Sequence, residues 1–403
     1  MIYATPNLTE PETAALARID AIQRELKYYV AEPRRWVGSV RRVLSARAIQ
    51  GSNSIEGYNV SVEDAVAAIE GDDPTEARTE DWHAVMGYRR AMTYVLQLAG
   101  DPHFGYSAAL VRSLHFMMTD YDLAAGPGLW RPGALWVRND KTGNVVYQAP
   151  DAEVVPSLIE ELVAQLSSAP DAPPMIHAAM AHLNLVMIHP FRDGNGRMAR
   201  CLQTLALTRD GILVPEFCSI EEHLGANTDA YYSVLGDVGQ GAWHPEHDAT
   251  PWIHFCLTAH YVQAVSVLRR VRESEQIWGE LEDLARKHGL SERTLAVLFD
   301  AAVGLRVRNS AYRSTLKTWG EEISNQVATL DLRAMVHAGL LEQLGKKRGT
   351  YYIGATPLRE IRSRLMAGRQ DIDTSTLFRP LTDPGGPGAP ELPFGSAPGT
   401  PTA

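Results

Sequence analysis

Cysteine is scarce: three in 403 residues, Cys201, Cys218 and Cys256, far apart and forming no C-x-x-C pair. Such spacing offers no disulfide framework and points to a reducing compartment, so a cytoplasmic location is expected. Long apolar runs are also missing. Nothing approaches the roughly 18 uninterrupted apolar residues of a membrane span. The N-terminal stretch MIYATPNLTEPETAALARID has no apolar signal-peptide core. No membrane partner is expected. Positive charge is not in excess either: 38 Lys and Arg stand against 48 Asp and Glu, a net charge of −10. That excludes a chain basic along its whole length, as a general nucleic-acid coat would be. A chain of this length can bury a full core without staples and has room for two to three domains.

What is present is mostly helical. Residues 10–50 carry Ala14, Leu16, Ile19, Ile22, Leu26 and Val30 at near-helical intervals, with breaks expected around Pro33 and Gly51. A long helical stretch follows from Thr79 to Thr258. Within it ALWVRNDKTGNVVY, near Leu135–Tyr147, has two β-prone runs around a Lys-Thr-Gly-Asn turn, a hairpin signal. The division expected is an N-terminal helical region at 1–75, a core at 76–260, a charged helical connector at 261–290, a second domain at 291–356, and a disordered tail at 368–403. From Pro380 onward the last 24 residues hold seven Pro and five Gly, too little apolar surface to offset the entropy of ordering.

The most informative run is His189-Pro-Phe-Arg-Asp-Gly-Asn-Gly-Arg-Met-Ala-Arg200. Ile176, Met180, Leu183 and Met187 repeat at three or four residues before it, and an apolar helical pattern resumes from Met198 to Leu207. Pro190 and Gly-Asn-Gly interrupt the helix between them. Gly194 and Gly196 allow successive N–H groups to face one concavity, and the following helix adds free N–H donors and the positive end of its dipole. Arg197 and Arg200 share one helix face. Asp193 offers hard oxygen for Mg²⁺ on phosphates, and His189 could accept a proton from an attacking hydroxyl. Any one of these residues is ordinarily structural; base, carboxylate, anion nest and paired Arg within twelve residues are a strong joint signal.

This run resembles the Fic family signature, H-x-F-x-(D/E)-G-N-(G/K)-R-x-x-R, at every specified position. The resemblance extends over roughly Ser52–Thr258. The hairpin, preceded by Gly128-Leu129-Trp130-Arg131, looks like the family's flap over the target segment. Tyr231-Tyr232, before WIHF, is similar to the aromatic pair lining the adenosine side. The resemblance implies transfer of AMP from ATP to a Ser, Thr or Tyr hydroxyl of a target protein, with pyrophosphate released. It implies His189 as general base, Asp193 as the Mg²⁺ ligand, and Asn195 with the Gly194 and Gly196 amides around the α-phosphate. Arg197 and Arg200 would hold the outer phosphates; Phe191, counted with the nucleotide-binding residues, is read as a core anchor fixing the loop. Gly196 favours adenylyl transfer, because a member phosphorylating its target carries Lys there. One position departs: seven residues after Tyr232, where some relatives carry Asn, stands Gly239.

Ser52-Asn-Ser-Ile-Glu56-Gly57 is similar to the family's inhibitory motif, (S/T)-x-x-x-E-(G/N). This implies Glu56 paired with Arg200 in the slot a γ-phosphate needs, a brake in cis. The competing reading is a capping box formed by Asn53 and Glu56. The same Glu could instead position a water for removing AMP, as in some relatives.

Val303–Thr350 holds eight basic and four acidic residues, net +4 within a chain of −10. A helix opening at Ser324, then Gly339, then a hairpin turning at Lys346–Gly349 resembles a winged helix, which leaves open DNA, another protein or a second copy of the chain as partner. His244-Pro-Glu-His247 has metal-like composition in a Gly/Pro-rich loop and is read as a solvent-facing turn. His177 and His182 lack the H-E-x-x-H pattern of a zinc hydrolase. The fold expected is mainly α: a Fic-type helical bundle with a small β-hairpin flap, then a winged-helix-like domain. The function expected is autoinhibited protein adenylylation. The alternative is a DNA-binding regulator using the same core as a nucleotide sensor.

Overall fold

The computed structural model describes residues 1–31, 34–74, 77–138, 142–168, 172–211 and 215–381. It is mainly helical and divides into two compact units. The first comprises Met1–Arg24, Ser45–Val265 and the stretch from Asp373; the second comprises Glu25–Leu44 and Ser266–Ile372. No helix among the described residues is long and apolar enough to cross a membrane.

In chain order the helices are α1 (Glu10–Ala31), α2 (Val37–Ile55), α3 (Val62–Glu70), α4 (Thr79–Ala99) and α5 (Ala108–Thr119). Strands β1 (Trp136–Arg138) and β2 (Val145–Gln148) follow, then α6 (Val155–Ser167), α7 (Pro174–Ile188), α8 (Asn195–Arg209) and α9 (Pro215–Cys218). Helices α10 (Glu221–Ala226), α11 (Thr228–Gly239) and α12 (Thr250–Lys287) end this series. The core of the first unit is the α7–α8 pair, with α4 and α5 on α8 and α6 on α7. Helix α7 is apolar on every side, as PMIHAAMAHLNLVMI requires of a central helix, and thirteen of its fifteen residues are buried.

Three local expectations change. The break at Gly51 does not occur, because α2 runs on to Ile55. Gly51 serves packing instead: a Cβ there would lie 2.4 Å from the Glu221 carbonyl oxygen, and one at Gly225 would lie 2.6 Å from the Gly51 Cα. The break at Pro33 lies outside the described residues. The 261–290 connector is no separate piece, since α12 continues unbroken from Thr250 with Pro251 in its first turn. The tail expectation from 382 onward lies outside the described residues, whereas 368–381 include a turn that buries Leu377.

The expected hairpin forms: β1 and β2 pair antiparallel, Trp136 opposite Gln148 and Val137 opposite Tyr147, with an irregularity before Arg138. Lys141 of its turn lies outside the described residues. Buried Tyr147 ties the hairpin down by donating its hydroxyl to the Met187 carbonyl at 2.8 Å. Gly239 leaves room for that ring, since a Cβ there would sit 3.2 Å from it. Trp136, Val145 and Val146 stay exposed.

In the second unit, α13 (Leu295–Ala302), α14 (Asn309–Thr318) and α15 (Asn325–His337) precede β3 (Leu341–Leu344), β4 (Tyr351–Gly354) and α16 (Thr356–Ala367). Strands β3 and β4 pair antiparallel, and Val307 bridges to Tyr352 of β4. Ser324 caps α15 by accepting from the Val327 N–H at 3.2 Å. Arg42 braces this unit through the Asp300 carboxylate at 2.7 Å.

Candidate active site

Helix α7 is capped by His189, whose backbone is left-handed (φ 50°) and whose N–H donates to the Leu185 carbonyl at 3.0 Å. The residue therefore closes its helix and turns its ring at once. Nδ1 lies 3.0 Å from the Val186 carbonyl, an acceptor only. The proton sits on Nδ1, and Nε2 is the acceptor. Burial lowers the pKa of His189 against the opposing pull of the Val186 carbonyl and the Glu56 charge, so the ring is neutral at pH 7.

The next five residues form a closed loop. The Asn195 side chain accepts from the Phe191 N–H and donates to the Phe191 carbonyl, both at 2.9 Å. Both ends of the side-chain amide expected to cradle an anion are thus engaged in shaping the loop. Gly194 takes φ 75° ahead of α8, whose first N–H groups have no intrahelical partners. Phe191 is fully buried, stacked on His115 at 3.6 Å between centroids and 3° between planes, with Trp130 at 5.0 Å. It anchors the loop.

His115 and Arg131 are the supports that sequence reasoning missed. The Gly128 N–H donates to His115 Nδ1 and His115 Nε2 donates to the Asp193 carbonyl, each at 2.9 Å. Buried Arg131 donates through Nε to the His189 carbonyl at 2.9 Å and through Nη1 to Gly133 at 2.7 Å, and it also bonds Pro150. Both stand far from the motif in sequence. The only signal was that Arg131 ends the Gly-Leu-Trp-Arg run.

Arg197 and Arg200 are buried, not solvent-facing. Arg197 donates to Asp193 Oδ2 at 3.1 Å and to the Tyr121 hydroxyl at 3.3 Å, and it lies 4.9 Å over the Tyr58 ring. Arg200 gives Nε to the Ser52 hydroxyl and Nη2 to the Ser52 carbonyl, both at 2.8 Å, and Nη2 also to Glu56 Oε1 at 2.7 Å. Arg197 Nε and Arg200 Nη1 are buried with no hydrogen-bond partner among the described residues. Burial alone would raise the Glu56 pKa, but the charges of Arg200 and Arg197 outweigh it and hold the carboxylate ionised. Gly196 is what admits Glu56: a Cβ there would fall 2.3 Å from Glu56 Oε1. The capping-box reading of Asn53 and Glu56 fails, because both stand at the C-terminal end of α2, where Glu56 N–H donates to the Asn53 carbonyl.

Tyr231 does not line an open nucleotide side. It is buried in the core, its hydroxyl 2.9 Å from His182 Nε2, within an aromatic cluster with Trp252 and Phe255. Tyr232 is about half exposed and donates to the Ile55 carbonyl at 3.3 Å. Asp193 is also about half exposed and lines a cavity of about 380 Å³ with Tyr58, Tyr121 and Asp122. Glu80 and Asp122, both exposed, line the same cavity, and such hard oxygens fit Mg²⁺, which is usually held by one or two carboxylates plus substrate phosphates.

Burial pushes the His115 pKa down to about 4 and that of His182 to about 3, from about 6.5 in the unfolded chain. Between those values the unfolded chain binds protons that the native one refuses, so stability is lost as pH falls. The thermal midpoint should drop between pH 6.5 and 4; a level midpoint over that interval would contradict this.

Residues 106–207 match the Fic/DOC family. The chain carries a Fic domain. It is 33% identical over 99 residues to "Protein adenylyltransferase fic-1" of Caenorhabditis briggsae, a match covering 23% of this chain and 19% of that one. A probable protein adenylyltransferase of Aquifex aeolicus is 32% identical over 84 residues, covering 21% and 26%. The matches to these curated relatives thus span about a quarter of their length or less. Among solved structures, a Fic family protein from Desulfovibrio desulfuricans superposes with a TM-score of 0.54 at 21% identity, covering 87% of this chain and 98% of that one. Caenorhabditis elegans Fic-1 superposes at 0.50 and 20% identity, covering 65% and 72%. These likenesses establish the fold.

Proposed function

We propose that the chain is a protein adenylyltransferase, restrained in cis by Glu56. The observation that carries this is the His189 ring, with Nδ1 held against the Val186 carbonyl and Nε2 left to accept a proton. The target's Ser, Thr or Tyr oxygen forms a bond to the α-phosphorus of ATP, and its proton passes to His189 Nε2. The bond from the α-phosphorus to the bridging oxygen breaks, and pyrophosphate leaves. The amides of Asn195 and Gly196 face the charge that builds on the α-phosphate. Arg197, steadied by Tyr58 and Tyr121, takes an outer phosphate. Asp193 would hold Mg²⁺, which supplies charge neutralisation on the phosphates when bound. Arg200 is reserved by Ser52 and Glu56 until the brake lifts. The exposed flap edge offers strand pairing to the target. The enzyme incubated with ATP labelled at the α-phosphate should label itself or lysate proteins. No label, even from the Glu56→Gly variant, would favour a nucleotide sensor.

For the C-terminal module we propose a winged-helix-like domain with α15 as its outer helix. Three helices followed by a paired hairpin support that reading, as does the strand-like bridge at Val307. Exposed Arg333 on α15, with Lys346 and Lys347 on the turn, suits phosphate contact. A gel shift with duplex DNA that weakens steeply with salt is the expected result; no shift at low salt would leave a protein-docking module.

A further inference from the structure

The turn His244-Pro245-Glu246-His247 does more than face solvent. The His247 N–H donates to the His244 carbonyl at 3.0 Å, closing a tight turn with Pro245 inside it. The two imidazoles are brought together with centroids 4.7 Å apart and planes 25° apart. Glu246, between them in sequence, swings back so that Oε1 lies 3.1 Å from His244 Nδ1. One ligand atom from each of the three residues lies within 4.8 Å of the others. Glu246 thus completes a set of three potential ligand atoms.

The rest of the turn has the arrangement of a metal-binding histidine's surroundings. His247 Nδ1 is 3.0 Å from the Val238 carbonyl, which fixes the tautomer and leaves Nε2 as the coordinating atom. Two imidazoles and a carboxylate are a borderline ligand set, suited to Zn²⁺ and its neighbours rather than to Mg²⁺ or Ca²⁺. Asp248, next in the chain, is committed elsewhere: its Oδ1 accepts from the Thr250 N–H and hydroxyl at the start of α12. Water would complete a four-coordinate site, since the rings are half-buried and Glu246 is exposed. One divalent cation would satisfy both nitrogens and the carboxylate together.

The location gives such a cation a purpose. The segment just before the turn, Gln240 at φ 46° and Gly241 at φ 89°, receives the end of the flap. The Gln148 N–H donates to the Gly241 carbonyl at 2.9 Å, and Gln148 bridges to Ala242. We propose that His244, Glu246 and His247 bind one divalent cation of the Zn²⁺ class and thereby stiffen the loop on which β2 of the flap rests. This is separate from any Mg²⁺ at Asp193 and does not depend on the transfer reaction.

The test uses the full chain, freed of any affinity tag, stripped with chelator and titrated with ZnCl₂ by calorimetry. One equivalent should bind. His244→Ala and Glu246→Gln should each weaken binding by at least about tenfold, the lower end of what even an outer-shell partner contributes. His103→Ala, at an exposed histidine on another loop, should leave it unchanged. Hydrogen exchange supplies the second readout: ZnCl₂ should slow exchange at the Gln148 amide in the wild type and not in His244→Ala. No bound equivalent, or variants binding as tightly as wild type, would overturn the site. Binding with unchanged Gln148 exchange would overturn its bracing role.

Discussion

His189→Ala is expected to lower AMP transfer by about 10²–10⁴-fold, the range of a positioned general base. The measurement belongs in a Glu56→Gly background, where the brake does not mask the loss, with ATP binding followed separately by calorimetry. Binding should stay within a few-fold, because the imidazole has no role in holding phosphate. His189 also closes α7 in a left-handed conformation, which alanine adopts less readily. A fall in thermal midpoint is therefore expected beside the loss of rate. The pH profile separates base from scaffold: a basic role requires transfer to fall on the acid side as Nε2 takes a proton. Transfer surviving in His189→Ala at near wild-type rate would end the assignment.

Glu56→Gly is expected to raise self-adenylylation by roughly 10- to 100-fold, the equivalent of a charge-assisted hydrogen bond of about 1.5–3 kcal/mol. Arg200 Nη2 is shared between the Ser52 carbonyl and Glu56 Oε1. Removing the carboxylate releases one of those claims and opens the space above Gly196. The Ser52 contacts remain, so Arg200 keeps its orientation and is ready for an outer phosphate. Breaking the pair also leaves a buried guanidinium short of a partner, which is destabilising. The variant should therefore melt earlier yet label faster. Equal incorporation of α-labelled AMP by variant and wild type would sink the inhibitory role.

The run from His189 to Arg200 was legible because it is contiguous. Helix, loop and helix are encoded in one run from His189 to Arg200, and Gly194 needs its positive φ whatever packs around it. Glu56 could be proposed only through a resemblance, since a Glu at the end of a helix says nothing alone about an Arg 144 residues away. His115 carried no local signal at all. It acts by stacking on Phe191 and holding the Asp193 carbonyl, contacts made when α5 packs beside the loop. Tyr231 misled for a related reason: a Tyr-Tyr pair on a helix gives no indication which ring faces inward, and here the first does.

Sequence by itself determined the helical fold class, the helix–loop–helix course of 189–200, the hairpin of β1 and β2 and the acidic balance that hides a basic C-terminal stretch. Each depends on residues near one another along the chain, where periodicity, turn chemistry and composition act directly. Tertiary structure alone decided which groups are spent and which are left. Asn195 is consumed in shaping its loop, Arg200 is held by Ser52 and Glu56, and His189 Nε2 remains as the acceptor. It also placed the three cysteines in the core. The reason is physical: hydrogen-bond allotment and burial are set by what packs from distant elements, and no pattern along the chain records that.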